Sequence, residues 1–262
     1  MKHLKKIIAI IIAVLIIGGG AFYLINNKDQ TTKKTENTSQ VYKVSEEEKK
    51  ELKEKFDNLE NINKETVGYI YIPGTKLDEP VVQTKDNETY LSKTFEGKNI
   101  PLLGAVFIDS DNNKKFTDRL TWFFGHARGS LVKDNRMFND VNYFDKKEFF
   151  DKNKYVVLET KERKYYYEIA FSVVVPETTD LYRLTFDDDN DFKKQLETAK
   201  KYSRIKNDNV KIDAKDKWIV LSTCREEDPT IRTNLYARQI PDDEMVEFLK
   251  NHSNELKYQK TR

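Results

Sequence analysis

Eight short runs of β-branched, aromatic and aliphatic residues follow one another between positions 67 and 240, and that succession does most to limit the fold. They occupy residues 67–72, 79–83, 104–109, 119–124, 154–160, 163–175, 217–223 and 232–240. Runs of this length, set off by turn residues, read as strands. Eight strands are enough to close a barrel or a sandwich. The expectation is a mainly β domain with peripheral helices. Only 38% of the 262 residues are hydrophobic, but 15 Phe, 14 Tyr and two Trp can fill a substantial core. Cys224 is the single cysteine, so no disulfide forms within the chain and packing must hold the fold.

Three helices are expected around the strands. Ser45 with Glu48 makes a capping box, and Leu52, Phe56 and Leu59 recur at helical spacing, which predicts a helix over residues 46–60. Asp145 and Glu148 predict a cap for a short helix anchored by Phe149 and Phe150. A long helix over residues 188–203 follows an acidic run, with Phe192, Leu196, Ala199 and Tyr202 on one face. That run lacks the Gly and the distal Glu of a calcium loop, whereas acidic residues in a first turn suit the helix dipole. The sequence contains no Cys/His cluster and no phosphate-binding glycine loop, so neither a metal nor a cofactor is expected. With 46 Lys and Arg against 44 Asp and Glu, there is no basic field to suggest nucleic acid.

The first 25 residues bear on compartment. Lys2, Lys5 and Lys6 form a basic flank, and residues 7–25 carry no charge. A bilayer needs about 20 apolar residues, and a signal-peptide core is about 7–15. The segment therefore reads as a membrane anchor with its N-terminus inside and the rest of the chain outside the cell. The alternative is a cleaved signal peptide, for which Gly18-Gly19-Gly20-Ala21 is the nearest cleavage site. Residues 26–44 are polar and aperiodic, as in a tether.

Candidate chemistry gathers at the end of one strand. Trp218 to Leu221 reads as buried, and it runs into Ser222, Thr223 and Cys224, after which the chain becomes charged. A free cysteine is often just a small buried hydrophobe. As a nucleophile it needs a base and a charge stabiliser. Of three histidines, His3 lies in the basic flank and His252 in a charged C-terminal tail. His126 follows Gly125 at the end of an apolar strand, where a scaffold presents functional groups. For the cation, Arg225, Arg232 and Arg238 are near in sequence. If residues 217–223 and 232–240 pair as antiparallel strands, Cys224 and Arg232 share the loop end. Arg238 would then lie about 20 Å further along. Arg225 would face the opposite side.

These residues resemble a known family. Leu221-Ser222-Thr223-Cys224 with downstream Arg232, upstream Gly125-His126 and an N-terminal anchor is similar to the sortases, the cell-wall transpeptidases of Gram-positive bacteria. The N-terminal helix and the long helix inserted between strands 6 and 7 resemble class B. So does the segment from Asp86 through Asn87 to Leu91. The resemblance implies an eight-stranded sortase-type β-barrel forming a catalytic domain over residues 45–262. It also implies that Cys224, His126 and Arg232 are catalytic at one end of that barrel. Cys224 would cleave the C-terminal sorting signal of a surface protein after Thr through a thioester. His126 would move the protons, Arg232 would stabilise the oxyanion, and a peptidoglycan amine would resolve the thioester. Asn87, Leu91, Thr178, Tyr182, Ser222 and Thr223 are the implied substrate-binding residues. Class B members can carry an acidic residue after the cysteine; here Arg225 stands there. Two rival readings are a cell-wall cysteine peptidase, in which the cysteine usually precedes the histidine, and a membrane-tethered binding module with an inert thiol.

Overall fold

The computed structural model describes residues 42–100, 103–127 and 136–261. The expected anchor at 1–25 and nearly all of the expected tether lie outside the described residues. Among the described residues no helix is long and apolar enough to cross a membrane.

The strands are β1 (Thr66–Tyr71), β2 (Asp78–Val82), β3 (Val106–Ile108), β4 (Leu120–Phe124) and β5 (Tyr155–Glu159). They continue with β6 (Lys164–Pro176), β7 (Ser203–Lys206), β8 (Trp218–Cys224) and β9 (Ile231–Gln239). Their order is β5-β1-β2-β3-β4-β8-β9-β6, and a β5–β6 pairing joins the ends into a closed barrel of eight strands. Two of the pairings, β2–β3 and β4–β8, are parallel. The eight expected strands are therefore the barrel. The ninth, β7, was not expected: it is four residues long, alternates half-buried with exposed, and pairs with β6 at Ser172–Ile205. Its one apolar residue offers no period to read, so only its partner reveals it.

Alternation sorts the side chains. Ile70, Val81, Phe123, Leu158, Ile169, Ile219, Leu221 and Leu235 fill the barrel interior. The outer faces are covered by helices α1 (Glu46–Ile62), α3 (Asp189–Tyr202) and α4 (Asp242–His252), while α2 (Lys147–Lys152) packs through Phe149 and Phe150 onto the interior cluster. The Ser45 hydroxyl accepts the Glu48 N–H and caps α1, the first half of the expected box, while the Glu48 carboxylate accepts from the Tyr42 hydroxyl and the Lys164 N–H instead. Leu52 and Phe56 of α1 then bury against Tyr69, Tyr71 and Val157, together with Met245 of α4 and Leu256. Phe56 is 1% exposed, and Phe→Ala at such a site costs about 3–5 kcal/mol. Phe56→Ala is therefore expected to lower the urea midpoint of unfolding markedly; an unchanged midpoint would mean that α1 does not brace the barrel.

Three expectations need correction. Asp145 does not cap α2, because its carboxylate is taken by Arg225 at 2.7 Å, and Lys146 occupies the cap position without a side-chain bond. Tyr202 is exposed at the end of α3, while Phe192, Leu196 and Ala199 are fully buried. The charged C-terminal stretch is not a bare tail: α4 docks there through Met245, Phe248 and Leu249, a stripe too sparse to stand out among acidic and basic residues.

The outer face of β4, β8, β9 and β6 carries a second apolar layer. Trp122, Val220, Tyr236, Phe171 and Val173 meet Phe192, Leu196 and Ala199 of α3 there. This layer stops short of the strand ends, which leaves a groove.

Candidate active site

Register places the first two groups. β8 and β9 are antiparallel, with Cys224 directly opposite Arg232. The Arg225 N–H donates to Ile231 O at 3.0 Å, so that rung is hydrogen-bonded and the Cys224–Arg232 rung is not. Side chains on a non-hydrogen-bonded rung stand closest, with Cα atoms about 4.5 Å apart. Cys224 is half-buried at the end of its strand. The Arg232 guanidinium donates to the carboxylate of Glu177 and to the carbonyl of Pro229. Glu177 is brought there by its own N–H, which donates to Thr230 O at 2.8 Å.

His126 arrives from the other side of β8. β4 runs parallel to β8 in a register that pairs Phe124 with Ser222, and the Gly125 N–H continues it to Ser222 O at 3.3 Å. Two residues on, His126 is alongside Cys224. A Cβ at position 125 would lie 2.9 Å from the Phe138 ring, so only glycine lets the chain leave β4 this close to its neighbour. His126 Nε2 lies 2.8 Å from Leu91 O. A carbonyl only accepts, so Nε2 donates there and Nδ1 is the ring nitrogen left outside that bond.

All three groups line one groove of about 430 Å³, on the outer face of the sheet at the strand ends rather than inside the barrel. Its floor and walls include Ala105, Phe107, Trp122 and Phe124, so it is mainly apolar with a few polar groups, as peptide and small-molecule sites are. Asn87, Leu91, Tyr182, Ser222 and Thr223 also line it. Thr178 does not: it is exposed in the turn after β6, and the neighbouring Thr179 faces the groove. Thr223 is on the inward face of β8 by alternation and only 3% exposed, so the groove meets its backbone more than its hydroxyl.

Two residues that the sequence did not mark organise this groove. Asp109 is fully buried, and its carboxylate accepts from Asn87 Nδ2 at 2.8 Å and from the Tyr182 hydroxyl. One carboxylate thereby ties together opposite walls. Burial, and then that bond, push the Tyr182 phenol well above its ordinary pKa. Asn142 bridges from below: its Nδ2 donates to Cys224 O at 3.0 Å and its Oδ1 accepts from Thr233 at 2.6 Å. Neither was legible, since Asp109 and Asn142 sit far from Cys224 along the chain with no motif around them.

The residues set aside earlier are elsewhere. Arg238 is paired with Asp216 and Glu244. His252 bonds Tyr155 and Glu255. Arg225 turns to the other face, where Asp145 and Glu227 hold its guanidinium, so it does not act as a second cation in the groove.

Comparison with known proteins agrees with this geometry. Residues 70–240 match the sortase domain family. The chain is 35% identical over 176 residues to sortase B of Staphylococcus aureus, covering 67% of this chain and 69% of that one. A sortase B complexed with triglycine superposes with a TM-score of 0.65 at 33% identity, covering 72% of this chain and 87% of that one. A Staphylococcus aureus sortase B–substrate complex gives a TM-score of 0.65 at 31% identity, covering 74% and 92%. The matched span runs from the end of β1 through β9 and includes His126, Cys224 and Arg232, and the chain belongs to the sortase family as a class B-like sortase-type transpeptidase.

Proposed function

We propose that this transpeptidase cleaves the C-terminal sorting signal of a secreted surface protein after Thr and joins the product to a peptidoglycan amine. The Cys224 thiolate attacks the Thr carbonyl, and the negative oxygen that forms is met by the Arg232 guanidinium. The C–N bond breaks, His126 protonates the departing amine, and a thioester remains on Cys224. An incoming amine attacks that thioester, His126 takes its proton, and the C–S bond breaks to return the thiolate. A cation and an imidazolium beside a thiol both favour the thiolate. Placing positive charge where the tetrahedral oxygen develops acts only in the transition state.

The observation that carries this reading is the convergence of Cys224, Arg232 and His126 from three neighbouring strands on one groove. Asn87, Leu91, Tyr182 and Ser222 would contact the signal peptide, with Thr179 in place of Thr178. The relatives solved with a substrate and with triglycine support a peptide donor and an amine acceptor. Residues 1–25 would hold the enzyme in the cell membrane, N-terminus inside, with the catalytic domain outside.

The test is mass spectrometry of a peptide library after incubation with the protein and an amine. Peptides cut after Thr, products extended by the amine and a thioester on Cys224 are expected. A library left intact, or cut by water alone with the amine never incorporated, would remove the transpeptidase reading. Rapid reaction of Cys224 with a thiol probe distinguishes an enzyme from a binding module with an inert thiol.

A further inference from the structure

One side chain in the groove has no part in the chemistry above. Asn234 is on β9, directly opposite Ser222 and two rungs from the Cys224–Arg232 pair. It lines the groove, is 3% exposed, and its Oδ1 is buried with no hydrogen-bond partner among the described residues. The residues after it, Leu235, the aromatic Tyr236 and Ala237, are at most 1% exposed. A lone amide at such a position costs free energy unless something completes its hydrogen bonds. Beyond Ser222 the groove continues with Phe124, which has no donor, and Trp122, whose Nε1–H donates to Arg183 O at 3.0 Å.

We infer that Asn234 reads the substrate: its amide hydrogen-bonds a polar side chain on one of the two peptide residues preceding the scissile Thr. This rests on the peptide reading of the groove. Two rungs along a strand are about 7 Å, the length of about two residues of extended peptide. The side toward β8's start holds the acyl half, because beyond Cys224 the chain passes into the exposed loop 226–230, where an amine can leave and another enter. Ser222, across the rung from Asn234, shares the same outward face, so the two make one polar patch on an otherwise apolar floor. A half-turn of the amide exchanges its oxygen and nitrogen, so the site takes a donor or an acceptor and rejects a side chain with neither. Sites built to hydrogen-bond a substrate group discriminate strongly against analogues that lack it.

The experiment compares thioester formation by the wild-type protein, Asn234→Ala and Asn234→Val on peptides whose two residues before Thr are varied. Both variants are first checked for the thermal midpoint and for the rate of Cys224 alkylation by a small reagent, which report the fold and the thiol. The wild type is expected to prefer Ser, Thr, Asn or Gln over Val or Leu at one position by about tenfold or more. In the variants that preference is expected to shrink to less than about threefold. A profile unchanged in both variants overturns the inference and leaves the transpeptidase reading intact. If the wild type forms no thioester with any peptide, both fall together.

Discussion

Cys224→Ala is expected to abolish thioester formation and to lower turnover by about 10⁴-fold or more, since groups acting as a unit fail together when the nucleophile is lost. The fold should survive it. Cys224 is half-buried at the last position of β8, and the strand is held by the β9 ladder, by Asn142 on the Cys224 carbonyl and by the interior residue Leu221. None of these contacts uses the sulfur. Cys224→Ser is expected to be nearly as inactive, because an alcohol is far less ionised than a thiol under the same imidazole and guanidinium. The measurements are peptide turnover and the thermal midpoint. Residual turnover within a hundredfold of wild type, with the midpoint unmoved, would mean that another group carries the acyl transfer.

The second large effect is expected at Arg232. Removing an oxyanion stabiliser typically lowers kcat by about 10²–10³-fold, so Arg232→Ala should fall in that range. The loss should appear in kcat rather than KM, because the oxygen is negative only in the transition state. Glu177 offers the control. It pairs with Arg232, but the two side chains are 27% and 46% exposed, and exposed pairs contribute only about 0.2–1 kcal/mol. Glu177→Ala is therefore expected to change kcat by no more than about fivefold. Equal losses in the two variants would mean that the carboxylate, not the guanidinium, is the working group. Arg232→Lys separates charge from shape: a compact ammonium cannot reproduce the planar fork, so only partial rescue is expected.

The contrast between Arg225 and Arg232 shows what could and could not be read in advance. Both are close to Cys224 in sequence, and strand alternation alone sends one to each face; the structure gives Arg225 to Asp145 and Arg232 to the groove. Alternation works here because a period of two admits only two answers. The same arithmetic could have marked Asn234, which shares a face with Arg232 and interrupts an apolar run. Thr178 shows the limit. In a turn there is no period, and whether residue 178 or 179 faces the groove depends on how the turn after Pro176 meets the β8–β9 loop.

Local patterning by itself determined the eight barrel strands, the cap of α1, the helix α3 and the lone thiol at the end of β8, because each has a short-range signature: a period, a cap, or a residue type that occurs once. Tertiary structure alone decided the rest. The ninth strand exists only through β6, α4 through a cluster built by α1, and the latch of Asp109 on Asn87 and Tyr182 through contacts spanning 22 and 73 positions of chain. Such pairings lie beyond any local pattern, since they depend on which surfaces the closed barrel brings together.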